Sequence, residues 1–273
     1  MSISSINSYK SQNFNRNNEN KKGNNLRPKV VASSILATGA AFTAIAKKQG
    51  FSLKLADIKK TPIKDWALFR LFDKKNPDRK VIELEEKEII ALAGSSVLGG
   101  LAAGVAFDDK SQRKAKVKEA VNQFLGNVLV PVGCVSLVSR LYKKNKETIL
   151  NLVPQIKENG KIAAKLSKKA VKNINSAFRA VPFSFATIGA LSFGIVTGNK
   201  VSNFLNEKVF HKKVERKIKG SDFAPHVDDI GMAVSLMADR SIASSLIQRT
   251  VPAFLCVPGI EVGMHKEDVE KVK

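Results

Sequence analysis

The chain has 273 residues and a formal net charge of +22, from 46 Lys and Arg against 24 Asp and Glu. Lys outnumbers Arg 36 to 10, so the charge is mostly mobile ammonium, which favours anionic partners: phospholipid headgroups, nucleic acid or acidic proteins. The two cysteines, Cys134 and Cys256, each lie inside an apolar run; that excludes a disulfide framework or a thiolate metal cage and suits small core hydrophobes.

Residues 1–28 are rich in Asn, Ser and Lys and show no apolar periodicity. Such a segment cannot bury enough surface to offset its ordering entropy, so a disordered tail is expected there. Residues 29–273 are expected to form one helical membrane domain. The first apolar run, VVASSILATGAAFTAIA, covers 30–46. It resembles a signal-peptide core, with Ala44-Ile45-Ala46 as a small-x-small site, but the basic region before it is too long for an ordinary leader.

The segment TPIKDWALFRLF (61–72) has a helix start, with Thr61 as N-cap and Pro62 at the first helical position. ELEEKE (83–88) leads into the second run, IIALAGSSVLGGLAAGVAF (89–107), and its glutamates suit the positive end of a helix. Asp109 to Gln112 has capping-box spacing and should open a basic helix over 110–123. The third run, FLGNVLVPVGCVSLV (124–138), is short for a span, and Asn127, Pro131 and Gly133 interrupt it. It reads as a kinked span or a re-entrant segment.

The stretch 155–178 places Ala163, Leu166, Ala170, Ile174 and Ala177 at near-helical spacing. Lys161, Lys165, Lys168, Lys169 and Lys172 occupy much of the rest, which predicts a basic amphipathic helix with its lysines at anionic headgroups. The fourth run, AVPFSFATIGALSFGIVTG, covers 180–198, and a second basic helix is expected over 200–220. Region 230–263 is apolar but broken by Asp239, Arg240, Arg249, Pro252 and Pro258. A helix from Asp228, capped by Asp228 and Asp229, followed by a short apolar segment, is expected there. Asp239 and Arg240 suit a partly wet helix face.

None of the four runs contains Asp, Glu, Lys, Arg or His. A spanning helix needs about 20 apolar residues, with a lower limit near 17, which runs one, two and four meet. Period-2 alternation is lacking, so the fold class expected is all-α: an integral membrane helical bundle with about four spans and basic amphipathic connecting helices. The runs carry rows of small residues four apart: Ser96, Gly100 and Gly104; Ala186, Ala190, Gly194 and Gly198; Ser33, Ala37 and Ala41. Residues four apart share a helix face, and small side chains there let backbones approach where lipid removes the hydrophobic drive. These rows are the candidate helix-packing sites, within one chain or in a homo-oligomer. The positive-inside rule gives no orientation: with four spans each side carries 23 Lys and Arg.

Tests for chemistry return nothing specific. His226-Val227-Asp228-Asp229 is the one local group of metal-binding types, and its spacing matches no structural zinc pattern. GSSVLGG lacks the Lys-Ser/Thr of a phosphate loop, and neither a Gly-x-Ser-x-Gly elbow nor a His-Glu-x-x-His helix occurs. No cofactor, metal or catalytic residue is expected. Trp66, Tyr9 and Tyr142 are the only Trp or Tyr for base stacking, and no nucleic-acid-binding motif is visible. The reading is a multi-pass membrane protein of structural or associative role, bound to anionic lipids. The alternatives are a small channel or transporter built on glycine-zipper packing, and a soluble all-α protein that binds polyanions.

Overall fold

The computed structural model describes residues 4–52, 54–56, 84–157, 160, 165–211, 216–227, 230–231, 251 and 253–267, with side chains from Asn25 onward. The 61–72 helix, the Asp228 and Asp229 caps, Lys161, and Asp239 with Arg240 lie outside the described residues.

Every regular element among the described residues is helical. Helix α1 (Ser4–Lys48) carries Pro28 inside it, and Leu26 packs with Val30 and with Ala103 of the next helix. Helix α2 (Glu86–Phe107) starts after Glu85, whose amide donates to the Glu88 carboxylate, and Glu86 and Glu88 sit at its positive end. A single 3-10 turn (Lys110–Gln112) then opens a continuous rod: α3 (Arg113–Asn122), a π-helical segment (Gln123–Leu129) and α4 (Val130–Lys144). Helix α5 (Lys146–Asn151) is short, α6 (Lys168–Lys208) has 41 residues, a 3-10 turn covers Gly220–His226, and α7 (Val257–Met264) continues an apolar helix from Ala253. Four helices are long and apolar enough to cross a membrane: Asn25–Lys48, Glu86–Phe107, Lys110–Lys144 and Lys168–Lys208.

Three expectations need correcting. The Asp109 capping box is not made; the turn tightens to 3-10, and the Gln112 side chain instead clasps the backbone of Glu267, accepting from its N–H at 2.9 Å and donating to its carbonyl at 3.0 Å. The basic helix does not run over 155–178: residues 154–157 are not helical, and the Asn175 side chain bonds both N–H and carbonyl of Ile156. Helix begins only at Lys168, where Ser167 Oγ accepts from the Ala170 amide as a true N-cap. The third correction concerns 200–220, which stops being helix at Lys208 and turns at His211, a non-glycine residue at φ 52°.

The run-three segment lies within the continuous helical rod. Pro131 has no N–H for the carbonyl of Asn127 four residues earlier. The helix accommodates this by widening: the Val130 amide bonds Leu125, five residues back, in the π register.

The long helices pack against one another in alternating directions. Lys29 lies over the Phe107 ring at 4.3 Å, while Ala46, Phe51 and Ile89 share a core cluster, so α1 and α2 are antiparallel. Along the rod and α6, Asn122 meets Asn206, Gly126 meets Gly198, Val135 meets Ala190 and Leu191, and Tyr142 meets Phe183; this pair is antiparallel too. Helix α7 runs parallel to α2. The bundle thus has two ends: one gathers Lys29, Asp108, Lys116, Asn206 and His265, the other Lys48, Glu86, Lys144 and Lys168.

The small-residue rows of the second and fourth runs face helices of the same chain. A Cβ on Gly100 would overlap the backbone carbonyl of Gly259, and one on Gly259 would overlap Ser96. Gly104 leaves room for Gly263, whose Cα would lie 3.0 Å from a Cβ there. Ser96 itself locks the pair, donating to the Cys256 carbonyl at 2.9 Å and accepting from the Gly259 amide at 3.2 Å. On the adjacent row, Ser33 of α1 donates to the Gly99 carbonyl at 2.8 Å. In the fourth run Gly198 abuts Gly126, Gly194 abuts Pro131, Ala190 is buried and Ala186 half-buried. Close backbone approach of this sort adds to the burial of Leu92, Val97, Val128, Leu255 and Val262 between the same helices.

Candidate functional site: a buried polar cluster around the π segment

Lys116, Glu119, Gln123 and Asn127 fall three to four residues apart and so share one face of the rod. All four are buried. The face is met by the C-terminal end of α7 and by the segment 216–226, which is irregular to Lys219 and 3-10 from Gly220.

Lys116 is fully buried. Its Nζ lies 2.9 Å from Asp108 Oδ2 and donates to the carbonyls of Gly263 at 2.6 Å and His265 at 3.0 Å. The last carbonyls of a helix have no intrahelical donor and carry partial negative charge, so a lysine there satisfies both a hydrogen-bond and an electrostatic need. Burial pushes the Asp108 carboxyl up. The hydrogen bond from Lys116, the Asp109 amide and the charges of Lys116 and Lys266 outweigh it, so the group stays below the usual carboxylate range.

One turn on, a single amide holds two carboxylates: Gln123 Nε2 donates to Glu119 at 2.8 Å and to Glu261 of α7 at 2.7 Å. His265 stands 3.8 Å from Glu119 and 3.8 Å from Glu267. Gln123 Oε1 accepts from Asn127 Nδ2 at 2.7 Å, and the same Nδ2 donates to Asp222 Oδ1 at 2.7 Å. Arg216 completes the set, with Nη2 donating to Asp222 Oδ1 at 2.7 Å and Nη1 to Asn127 Oδ1 at 3.2 Å. The Lys219 amide donates to Asp222 Oδ2 at 2.9 Å. Asn203 of α6 anchors the segment by bonding both the N–H and the carbonyl of Arg216.

His226 closes the arrangement. Its Nε2 lies 2.8 Å from the carbonyl of Asn127, the oxygen that Pro131 leaves without its α-helical donor. A carbonyl accepts only, so Nε2 carries the proton and the buried Nδ1 is bare, with no partner among the described residues. Burial lowers the His226 pKa to about 4, against a smaller opposing effect of the Asn127 carbonyl, so the ring is neutral at physiological pH.

Asp222 and Asp108 each face a cation, and Glu119, Glu261 and Asn127 are engaged by amides or guanidinium. Among the described residues no group of three or more His, Cys, Asp or Glu is placed to hold a metal ion.

The residues singled out from the sequence lie elsewhere. Ser96, Gly100, Gly104, Ala190, Gly194 and Gly198 are in helix interfaces, as described above. Lys165, Lys168, Lys169 and Lys172 are exposed before and within the first turns of α6, at the bundle end opposite the cluster. The sequence reading passed over Lys116, Glu119 and Gln123 because it sought charges within the apolar runs. The signal that would have found them is the four-residue polar spacing continuing into the run at Asn127. Compared with protein-family models, with curated proteins and with solved structures, the chain matches none of them.

Proposed function

We propose that this chain is an integral membrane helical bundle of four long spans with an architectural or associative role, and that it catalyses no reaction. One observation carries the reading: large apolar side chains point outward over the middle of all four long helices. They include Ile35 and Leu36 on α1, Leu98 on α2, Leu137 on α4, and Phe185 and Phe193 on α6. In water such a belt would be an aggregation surface; in lipid it is the surface the solvent requires. Spacing between charges agrees. Arg179 and Lys200 flank the uncharged stretch of α6, and 21 residues of helix rise roughly 31 Å, close to the hydrocarbon thickness of about 30 Å. The paired or amide-bound state of the buried charges supports the same reading, since an unpaired ion at that depth is costly.

Alkaline carbonate and high-salt washes of membranes test this. The bundle is expected to stay in the pellet and to need detergent. Release by salt alone would replace it with a soluble polyanion-binding protein whose apolar runs are core helices.

A channel or transporter remains the second reading, favoured by the polar face Glu119–Gln123–Asn127. Ion flux in liposomes separates the two: the architectural reading expects none above protein-free vesicles. A homo-oligomer through the rows of the second and fourth runs would have to displace α7 or the rod, which already occupy them.

A further inference from the structure

The uncharged stretches of α2 and α6 do not lie at the same height in the bundle. The rod stands between the two helices and fixes the height of each. On the α2 side, a Cβ on Gly104 would meet Lys116 and one on Gly94 would meet the Phe124 ring, while Glu86 is hydrogen-bonded to Ser136. On the α6 side, Asn206 meets Asn122, Gly198 meets Gly126, Leu191 packs with Val135 and Phe183 with Tyr142. Leu98, the middle of the stretch 89–107, is therefore level with Phe204 of α6 and not with 189–190, the middle of the stretch 180–199. The two middles are offset by about 14 residues, roughly 20 Å at the helical rise. The first half of the α6 stretch lies beyond the start of α2 at Glu86.

One flat bilayer cannot serve both stretches while the helices stand upright. A slab centred on Leu98 would immerse Lys200, Glu207 and Lys208, all exposed, in hydrocarbon. Lys217 and Lys219, next to the Asn203 anchor of Arg216, would be immersed with them. A slab centred on 189–190 would leave Leu98, Ile35 and Leu36 outside it, although they are 67, 53 and 73 % exposed. Tilting the bundle removes the conflict. α2 and α6 do not pack on each other, and two interaxial distances of roughly 8–10 Å separate them at most. An offset of about 20 Å across that separation calls for a tilt of at least about 45°, beyond the usual 0–40°. At that tilt the uncharged length of α6, roughly 31 Å, covers only about 22 Å of thickness, against a hydrocarbon layer of about 30 Å.

We propose that the bundle sits tilted in the plane of α2, the rod and α6 and draws the bilayer around it thin, so that its preferred lipid neighbours are short-chain phospholipids. The inference rests on the membrane reading above and adds to it an orientation and a lipid class. The tilt brings Leu98 and Ile188 together near the midplane. It lifts Lys200, Glu207, Lys208 and the segment 216–226 to headgroup level on the α6 flank, where their charges meet water.

The test reads depth with a single tryptophan. Trp66 is the only Trp of the chain, so Trp66→Phe gives a blank background. Into it go Leu98→Trp, Ile188→Trp or Phe204→Trp, each at an exposed position where the fold is not at stake. The full chain is placed in phosphatidylcholine brominated either near the chain ends or near the headgroup. Leu98→Trp and Ile188→Trp are expected to be quenched most by the deep bromines, and Phe204→Trp by the shallow ones. In an upright bundle Leu98→Trp and Phe204→Trp would share one profile and Ile188→Trp would differ; that result overturns the tilt. Thinning is read separately, in mixtures of brominated phosphatidylcholine with chains of about 14 carbons and plain phosphatidylcholine with chains of about 22. Quenching of the Leu98→Trp chain should exceed the mole-fraction value, as an affinity about twofold or more in favour of the short lipid. Quenching at or below the mole-fraction value overturns the thinning. Release of the native chain by carbonate, with no quenching at any of the three positions, would overturn the membrane reading itself.

Discussion

The interface of α2 with α7 and the interface of the rod with segment 216–226 solve the same problem by opposite means. The first is built mainly from absence: Gly100, Gly259 and Gly263 carry no side chain where two backbones meet, and Ser96 supplies the hydrogen bonds across it. The second is polar and built from presence: Asn127, Asp222 and Arg216 form a hydrogen-bonded network where the backbone departs from the α-helix, as π at Asn127, 3-10 at Asp222 and irregular at Arg216. Buried backbone that leaves the α-helical pattern is stable only when other protein groups satisfy it, so the difference follows from local secondary structure. Helix against helix can use van der Waals contact alone. A non-helical segment against a helix needs side chains as hydrogen-bond partners.

Lys116 joins the two solutions, and breaking it should have the largest effect. Lys116→Met leaves Asp108 buried without its cation and the α7 carbonyls without a donor, a loss of about 3–5 kcal/mol. Unfolding in detergent by a denaturing surfactant would read it, and a change under about 1 kcal/mol would sink the assignment. Next comes the dry interface. Gly259→Val forces side-chain atoms into the Ser96 backbone and should cost about 1–3 kcal/mol, or detach α7 outright. Protease sensitivity of the C-terminal segment reports the detachment; an unchanged digestion pattern would count against the close approach.

The polar interface should be acid-labile in a way the dry one is not. His226 is neutral in the fold with its pKa lowered to about 4, while the unfolded ring titrates near 6.5. As pH falls from about 6.5 towards 4 the unfolded state binds the extra proton, so stability declines by up to about 1.4 kcal/mol per pH unit. Above that window the group contributes no slope. His226→Gln should flatten the profile, and a wild-type curve already flat over that range would remove the buried-neutral description. The smallest effect marks the limit of the comparison. Gly133→Ala adds a Cβ where nothing lies within 4 Å, so stability should stay within about 0.5 kcal/mol. A loss comparable to that at Gly259 would mean that small residues matter here for some reason other than close approach.

The helical class and the extent of the second and fourth runs were legible because uncharged stretches of that length leave few other options. So was the row Ser96, Gly100 and Gly104, since four-residue spacing declares a helix face. Its partner was not legible. Gly259 and Gly263 stand in a segment whose prolines and nearby charges made it look broken, although they too lie four apart. The polar cluster was hidden for a different reason. Its rod half follows helical spacing, but Arg216, Asp222 and His226 reach it through an irregular stretch and a short 3-10 helix, and no periodicity encodes where such a segment lands. The basic helix over 155–178 was misread because lysines and alanines at helical spacing outweighed Gly160, a poor helix former inside it.

The parallel pairing of α2 with α7 also sets an order of assembly. Ser96 and Gly259 are 163 residues apart, so during synthesis α1, α2 and the rod are made long before their third neighbour exists. Until it arrives, the groove over Gly100 and Gly104 stays open and Lys116 lacks the carbonyls it will cap. The bundle therefore closes late, from its C-terminal side. A chain interrupted at residue 250 would carry all four long helices and still present an unfinished surface to the cell's quality control.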